Sequence, residues 1–178
     1  MNIFLKFKLL KLRHQVKKSV KQQRNRPLDI NEILSRQNSD NVVVDAYEYF
    51  MRKCNWGNIS CFNSTVQDFL AAVEYDGFVG NGGVSVFLES SSANDIGKTI
   101  RALNKVGCTS AANILLDAAK LSEGSMVPHD PKERSKALCD ITKTFLDDLD
   151  KKSFEIDIAS YCYAYLQKHK SAFSETID

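Results

Sequence analysis

Hydrophobic residues recur along most of this chain with the spacing of amphipathic helices. Near residues 64–73, Val66, Phe69, Leu70 and Val73 stand at the i, i+3, i+4 and i+7 positions that share one helical face. Polar and turn-forming residues separate this stripe from its neighbours. The pattern predicts an all-α fold, a single irregular multi-helix domain of about seven to eight helices. Comparable stripes lie at residues 43–51, 96–106, 111–121, 138–149 and 158–169.

Capping signals support these helices. Asp29 and Glu32 have the spacing of a capping box, in which two side chains satisfy free amide donors at a helix start. Asp130 followed by Pro131 is typical of another helix start, because the first turn tolerates proline. Gly107 follows a predicted helix, where glycine adopts the left-handed conformation that often ends one. These signals indicate helix ends independently of the hydrophobic stripes.

Glycines interrupt the pattern in the middle of the chain. Four of them lie close together and predict a Gly-rich turn near residues 77–83 instead of a regular helix. Asn81-Gly82, followed by Val84 to Phe87, is also a hairpin signal. The residues alone therefore leave a β-hairpin open as an alternative.

The first 26 residues differ in charge from the rest of the chain. They contain nine basic residues and no acid. The remaining 15 bases and all 22 acids give residues 27–178 a net charge of −7. We therefore predict two parts, a basic amphipathic N-terminal segment at 1–26 and a helical domain at 27–178.

The N-terminal segment has three interpretations. A secretory signal is not expected, because cations interrupt the apolar run and no small-residue cleavage site follows. Residues 3–20 could lie on an anionic membrane surface as a basic amphipathic helix. The third interpretation is an N-terminal helix whose stripe packs on the domain or on a partner. That stripe consists of Leu5, Leu9, Leu12, Val16 and Val20.

The cysteines and histidines form no recognisable catalytic or metal site. Cys54 and Cys61 have no histidine nearby, whereas a zinc site needs about four ligands, usually with closer pairs. The three histidines are far apart in sequence, and the adjacent Asp147 and Asp148 point in different directions on a helix. We therefore predict a non-catalytic protein without cofactor or metal, and the alternative is an enzyme whose site is assembled in space from distant parts of the sequence. Its reduced cysteines are typical of the cytoplasm.

The glycine-rich block and the sequence after it resemble a known family. Asp76, Asn81-Gly82-Gly83 and the residues up to Ser92 are similar to the E…NGGF-x-Q-[YF]-F-x-N-S-S-G signature of the DNA-mimic-like family, a bacterial domain of unknown function. Later blocks, among them Pro128-x-Asp130…Arg134, follow in the family's order, so that the resemblance covers about residues 64–173. It implies an all-helical fold in which Asn-Gly-Gly opens a short helix, and it argues against the hairpin.

The resemblance has departures that bear on function. Val84, Val86 and Glu89 stand where the family has Phe, Gln and Asn. The family name implies carboxylates that take the place of DNA phosphates, and duplex DNA carries one negative charge per roughly 1.7 Å. A net charge of −7 on residues 27–178 is modest by comparison. We therefore expect this chain to be a weak DNA-mimic candidate at most.

An acidic surface is the predicted binding site. Residues 54–97 contain five acids and no lysine or arginine. We expect them to engage a basic protein, such as a DNA-binding regulator or a toxin, because complementary charge speeds encounter. Nucleic acid is not an expected partner, homodimerisation stays open, and the alternative role of the acids is helix and turn capping. The candidate binding residues are Asp68, Glu74, Asp76, Asn81, Glu89, Asp95, Asp147, Asp148 and Asp150.

Overall fold

Every regular element of the described structure is a helix. The computed structural model describes residues 28–37, 39–120, 128, 130, 132–134, 136 and 143–175, and no strand occurs in these ranges. The predicted all-α fold is confirmed, and the β-hairpin is excluded because residues 84–87 are helical. Two 3-10 helices, Ile59–Cys61 and Ser91–Asp95, connect longer elements. The α-helices span Ile30–Ser35 (α1), Ser39–Lys53 (α2), Ser64–Glu89 (α3), Ile96–Lys105 (α4), Thr109–Lys120 (α5), Lys143–Phe154 (α6), Ile158–Lys168 (α7) and Lys170–Ser174 (α8).

Helix α3 is the centre of the fold. It packs along α4, α6 and α7, and it also contacts α2 and α8. Its fully buried side chains include Phe69, Tyr75 and Phe87, which point away from the helix axis in different directions. A helix with apolar residues on several sides must be covered on several sides. The shorter helices therefore surround α3.

An aromatic cluster joins α8 to the helices before it. The ring of Phe173 in α8 lies 5.8 Å from that of Phe50 in α2 and 5.3 Å from that of Phe69 in α3, measured between centroids. Phe62 makes an edge contact with Phe50 at 5.3 Å. Such pairs contribute about 0.5–1.5 kcal/mol beyond the burial of their area. The cluster therefore fixes α8 against the core although that helix is short.

The predicted helix ends are confirmed at three positions. Oδ1 of Asp29 accepts a hydrogen bond from the backbone N–H of Glu32 at 3.0 Å. Asp130 accepts in the same way from the N–H of Lys132 at 2.8 Å. Gly107 has a φ of +92°, the left-handed conformation that the sequence predicts after α4. Local capping signals were therefore sufficient to locate these ends.

The glycine-rich region requires a correction. Helix α3 continues through Gly77 and Gly80, so that the predicted turn near residues 77–83 is reduced to a break at Gly82 and Gly83. Of these two, Gly83 has the left-handed backbone, with a φ of +89°. A glycine within a helix costs up to about 1 kcal/mol relative to alanine. Burial of the apolar residues between the glycines outweighs this cost, and tertiary packing overrides local propensity here.

The N-terminal segment, residues 1–26, lies outside the described residues, as do Cys139, His14 and His129. The interpretations of that segment, and the division of the chain at residue 27, stay predictions. Within the described ranges, no helix combines the length and the apolar character that crossing a membrane requires.

Candidate functional site

A carboxylate from a distant part of the sequence caps the break in α3. Oδ1 of Asp150, in α6, accepts hydrogen bonds from the backbone N–H groups of Val84 and Ser85 at 2.7 and 3.3 Å. Its Oδ2 accepts from the Ser85 hydroxyl at 3.1 Å. A negative charge at a helix N-terminus satisfies free amides and interacts favourably with the helix dipole. Residues 84–89 therefore begin as a separately capped segment of α3.

The glycine at the break allows α6 to approach this closely. A Cβ atom on Gly83 would overlap the carboxyl group of Asp150. Asn81, the first residue of the Asn-Gly-Gly run, donates from Nδ2 to the carbonyl of Gly77 at 2.7 Å. Two predicted binding residues, Asn81 and Asp150, thus make hydrogen bonds within the fold.

A buried arginine holds the other end of the same segment. Arg134 is 1% exposed, and its Nε donates to the carbonyl of Leu88 at 2.7 Å. Its Nη2 donates to the carbonyl of Ser90 at 2.6 Å and to Oδ1 of Asn94 at 2.8 Å. Its Nη1 donates to the carbonyl of Pro128 at 2.7 Å. Burial lowers the pKa of Arg134, but a guanidinium remains charged in proteins.

Opposite charges therefore fix both ends of residues 84–89. The carboxylate of Asp150 lies at the positive end of the helix dipole and the guanidinium of Arg134 at the negative end. Sequence reasoning gave Arg134 no role, because no local signal marks a cap that comes from a distant part of the chain. The exposed side chains of Val86 and Glu89 consequently project from a segment of fixed orientation.

Two further predicted acids serve the fold. Oε1 of Glu74 accepts from the hydroxyl of Ser92 at 2.8 Å, which ties α3 to the 3-10 helix Ser91–Asp95. Asp95 is the N-cap of α4, and its Oδ1 accepts from the backbone N–H of Lys98 at 2.9 Å. For Asp95, this is the capping role that the sequence offered as the alternative.

Asp68 and Asp76 are partly buried on α3 and face different neighbours. Burial raises the pKa of Asp68, and three basic side chains of α4 act in the opposite direction. Burial raises the pKa of Asp76 as well, and the nearby charge of Asp157 adds to this. Glu74 projects about 200° around the helix from Asp76. The base-free run of sequence is therefore not one base-free surface in the fold.

Three of the predicted acids remain exposed. Glu89 lies at the end of α3, and Asp147 and Asp148 lie on the outward side of α6. Asp150 joins α6 to the start of the segment that ends at Glu89. The exposed acids therefore belong to two elements that the partly buried hydrogen bonds of Asp150 hold together.

Apolar and basic side chains accompany these acids on the same two elements. Val86 and Phe145 are each 37% exposed, which is high for side chains of their size. Lys151 and Lys152 are exposed one turn after Asp148. We call the exposed residues of 84–89 and α6 the α3–α6 surface. It is formed by Val86, Glu89, Phe145, Asp147, Asp148, Lys151, Lys152 and Phe154.

The end of α2 presents a second unusual surface, which the sequence did not predict. Asn55 and Trp56 both have positive φ angles, 51° and 57°. The N–H of Asn55 donates to the carbonyl of Arg52 at 3.0 Å, and the N–H of Trp56 donates to that of Met51 at 2.7 Å. This is the hydrogen-bond pattern of a Schellman motif. Left-handed non-glycine residues cost about 1–3 kcal/mol each, so the surrounding bonds must hold them in place.

The indole of Trp56 points outward from this turn. It is 58% exposed, and its ring lies edge-on to that of Tyr47, with centroids 6.5 Å apart. Exposed tryptophans of fixed orientation are frequent anchors of protein interfaces. Two features of the sequence could have indicated this surface. Trp56 is the single tryptophan of the chain, and the run Asn-Trp-Gly follows a helical stripe.

The described titratable groups form no cluster of metal-ligating type. Within the described ranges, no group of three or more His, Cys, Asp or Glu side chains could hold a metal ion. Cys108 and Cys162 are buried, and burial raises the pKa of both thiols. Protonated thiols are weak nucleophiles. The two buried thiols are therefore unsuited to nucleophilic attack.

One comparison with known proteins gives a match. A family model described as DMP19-like protein matches residues 60–169, which is more than half of the chain. Neither the curated proteins nor the solved structures give a match. The resemblance to a DNA-mimic-like family is corrected by this finding, because the matching family is a different and specific one and no comparison supports a DNA-mimic family. The chain belongs to the family of DMP19-like proteins.

Proposed function

We propose that this protein is a non-catalytic, cytoplasmic binding domain whose α3–α6 surface engages a basic protein. The partner would be a DNA-binding regulator or a toxin. The observation that carries the proposal is the position of the exposed acids. Glu89, Asp147 and Asp148 stand outward on two elements joined by Asp150, while other acids make hydrogen bonds within the fold.

The physical basis of the proposal is electrostatic complementarity on a preorganised surface. Exposed carboxylates attract a basic partner over about 8–10 Å at physiological salt and increase the rate of encounter. Val86 and Phe145 provide apolar area for close contact. Lys151 and Lys152 would favour a partner that has acids opposite them. They would therefore help to fix the orientation in which the partner binds.

The thiols support the cytoplasmic assignment. Cys54, Cys61, Cys108 and Cys162 are free, and Cys61 is exposed to solvent. Reduced thiols persist in a reducing compartment, whereas an oxidising one favours disulfides.

Affinity capture in the presence of a matched charge control tests the binding proposal. The full-length protein is used as bait at low and moderate salt, beside Glu89→Lys/Asp148→Lys and Asp117→Lys/Glu175→Lys. Both double variants change the net charge equally, but Asp117 and Glu175 are exposed outside the α3–α6 surface. We expect the unmodified protein to capture a basic protein, and to capture less of it at moderate salt. Glu89→Lys/Asp148→Lys should lose this partner, and Asp117→Lys/Glu175→Lys should retain it. Absence of a partner at both salt concentrations, or equal loss in both variants, would contradict the proposal.

A second candidate function is attachment to an anionic membrane surface through residues 3–20. The observation in its favour is the sequence itself, because residues 3–20 contain six cations and no acid beside a five-residue apolar stripe. Such a helix binds through apolar burial and through attraction to acidic lipids. Full-length protein should then co-sediment with vesicles containing phosphatidylserine, and Leu9→Glu/Leu12→Glu should abolish this. Failure of the unmodified protein to bind rejects this function.

A further inference from the structure

The surface around Trp56 has the composition of a helix-binding site. Val44, Tyr47 and Met51 share one face of α2 at the i, i+3 and i+7 positions, and Trp56 follows at the end of that helix. Val44 is 60% exposed and Trp56 is 58% exposed. We call these four residues the Trp56 surface. Large apolar side chains grouped on one exposed face mark an interaction site more often than single exposed ones do.

The backbone holds the Trp56 surface in one orientation. The N–H of Trp56 donates to the carbonyl of Met51, and the N–H of Gly57 donates to that of Cys54 at 3.0 Å. The edge contact with Tyr47 restricts the indole further. A partner that docks here therefore loses little of its binding free energy to ordering the tryptophan.

The electrostatic environment of the Trp56 surface favours a cationic occupant. Burial raises the pKa of Tyr47, and the negative charge of Glu74 adds to this. Glu74 forms no salt bridge within the described ranges. The charge of Glu48, next to Tyr47 on α2, is balanced by Arg52. Glu74 therefore contributes a negative charge on this side of α2, whereas the cation of Lys53 lies over the ring of Tyr49 on the other side of the helix.

The chain itself contains a segment of the complementary kind. Residues 1–26 carry nine cations, no acid and one apolar stripe, and they precede Leu28, which packs against the core. The side chain of Asn31, near the start of α1, accepts from the hydroxyl of Ser174, and the neighbouring Phe173 contacts α2. The seven residues 21–27 can span about 23 Å, enough to bring residues 3–20 to the far side of a helix about 10 Å wide.

We propose that residues 3–20 bind as an amphipathic helix to the Trp56 surface of their own chain. Their apolar stripe would cover Val44, Met51 and the indole of Trp56, and their cations would face Glu74. The inference is independent of the α3–α6 surface. Docking would also regulate membrane attachment, because a stripe that is bound to the domain is not available to a membrane.

The single tryptophan of the chain provides a direct measurement. Acrylamide quenching of Trp56 fluorescence is recorded in the full-length protein and in Leu9→Glu/Leu12→Glu, which puts charges into the stripe. Gln15→Glu/Gln22→Glu is the matched control, because it adds the same charge to the N-terminal part of the chain outside the apolar stripe. Val44→Glu/Met51→Glu tests the receiving surface, with Val86→Glu as its control.

Docking predicts a several-fold lower quenching constant for the unmodified protein than for Leu9→Glu/Leu12→Glu. Gln15→Glu/Gln22→Glu and Val86→Glu should remain protected, and Val44→Glu/Met51→Glu should lose protection. Equal quenching of the unmodified protein and Leu9→Glu/Leu12→Glu would overturn the proposal. Protection that grows with protein concentration would identify a second copy as the occupant, and protection that appears only with anionic vesicles would identify the membrane; either result also overturns it.

Discussion

Two helix ends of this protein, at Gly83 and at Asn55, leave helical geometry with a positive φ but are stabilised in different ways. At Gly83 the free amides that follow are satisfied by the carboxylate of Asp150, from another helix. At Asn55 the free carbonyls of Arg52 and Met51 accept hydrogen bonds from the backbone N–H groups of Asn55 and Trp56, in the same chain segment. One end is buried and closed from a distance, whereas the other is exposed and closed locally.

The difference determines what each end can contribute to function. A cap supplied by a distant side chain couples two parts of the chain. Asp150 and Arg134 therefore orient residues 84–89 and are engaged within the fold. A local cap couples nothing but leaves its side chains available, and Trp56 projects into solvent. Loss of a distant cap should therefore destabilise the whole fold, and a change in the local cap should alter only the turn and the surface beside it.

The largest expected effect follows the loss of the buried guanidinium. Arg134→Ala leaves the carbonyls of Leu88 and Ser90 without these donors, and each buried unsatisfied group costs about 1–3 kcal/mol. We expect the free energy of unfolding to fall by about 4 kcal/mol, measured by urea denaturation followed by circular dichroism. Arg101→Ala, an exposed arginine in α4, is the control and should change it by less than about 0.5 kcal/mol. Equal effects would show that Arg134 is not a cap of this kind.

The next effect concerns the glycine at the buried end. Gly83→Ala places a Cβ in the carboxyl group of Asp150 and in a left-handed backbone, and we expect a loss of about 3 kcal/mol. Gly80→Ala is the matched control, because its Cβ meets open space within helical backbone; it should stabilise by about 0.5 kcal/mol. The cost of Gly83→Ala should shrink in an Asp150→Ala background, since the two residues are in contact. Strict additivity would contradict the proposed overlap.

The two helix ends also separate what the sequence predicts from what it does not. Asp29, Asp130 and Gly107 were predicted correctly because each cap lies within a few residues of the groups it satisfies. Asp150 and Arg134 act on groups tens of residues away, and no local pattern reports such a contact. The all-α class therefore follows from the sequence, whereas the caps of residues 84–89 do not.

The acidic residues show the same limit of prediction from sequence. Residues 54–97 contain no base, yet cations of α4 face Asp68 once the chain has folded. Burial of Asp76 depends on the packing of α3 against α7, which periodicity does not specify. Glu89, Asp147 and Asp148 were recognised as acids, but their exposure on two joined elements becomes visible only in the structure.

Titration separates the inward-facing acid from a local cap. Burial raises the folded-state pKa of Asp76, so its charged form destabilises the fold at neutral pH, and this penalty disappears as the pH falls through that pKa. Asp157 caps α7, where hydrogen bonds from Ser160 lower its pKa, so its stabilising effect is present above the ordinary carboxyl pKa and is lost on acidification. In thermal unfolding at pH 7, Asp76→Asn should raise the midpoint and Asp157→Asn should lower it.

Both differences should fade on acidification, and the Asp157 difference should persist to the lower pH because the folded-state pKa of Asp157 is lowered. If both variants shifted the unfolding midpoint in the same direction at pH 7, the fold would stabilise the charged form of Asp76. Asp76 and Asp157 would then not differ in the way proposed.

The smallest effect is expected at the exposed end. Asn55→Gly removes the conformational penalty of a left-handed residue, and we expect stabilisation by about 0.5 kcal/mol. Asn58→Gly serves as the control, because Asn58 has a negative φ and its side chain accepts from the N–H of Ser60; it should destabilise slightly. Since the backbone bonds of the turn remain, the emission maximum of Trp56 should not move. A gain in stability accompanied by a shifted maximum would show that Asn55 orients the indole, and that this end of α2 is not closed by its backbone alone.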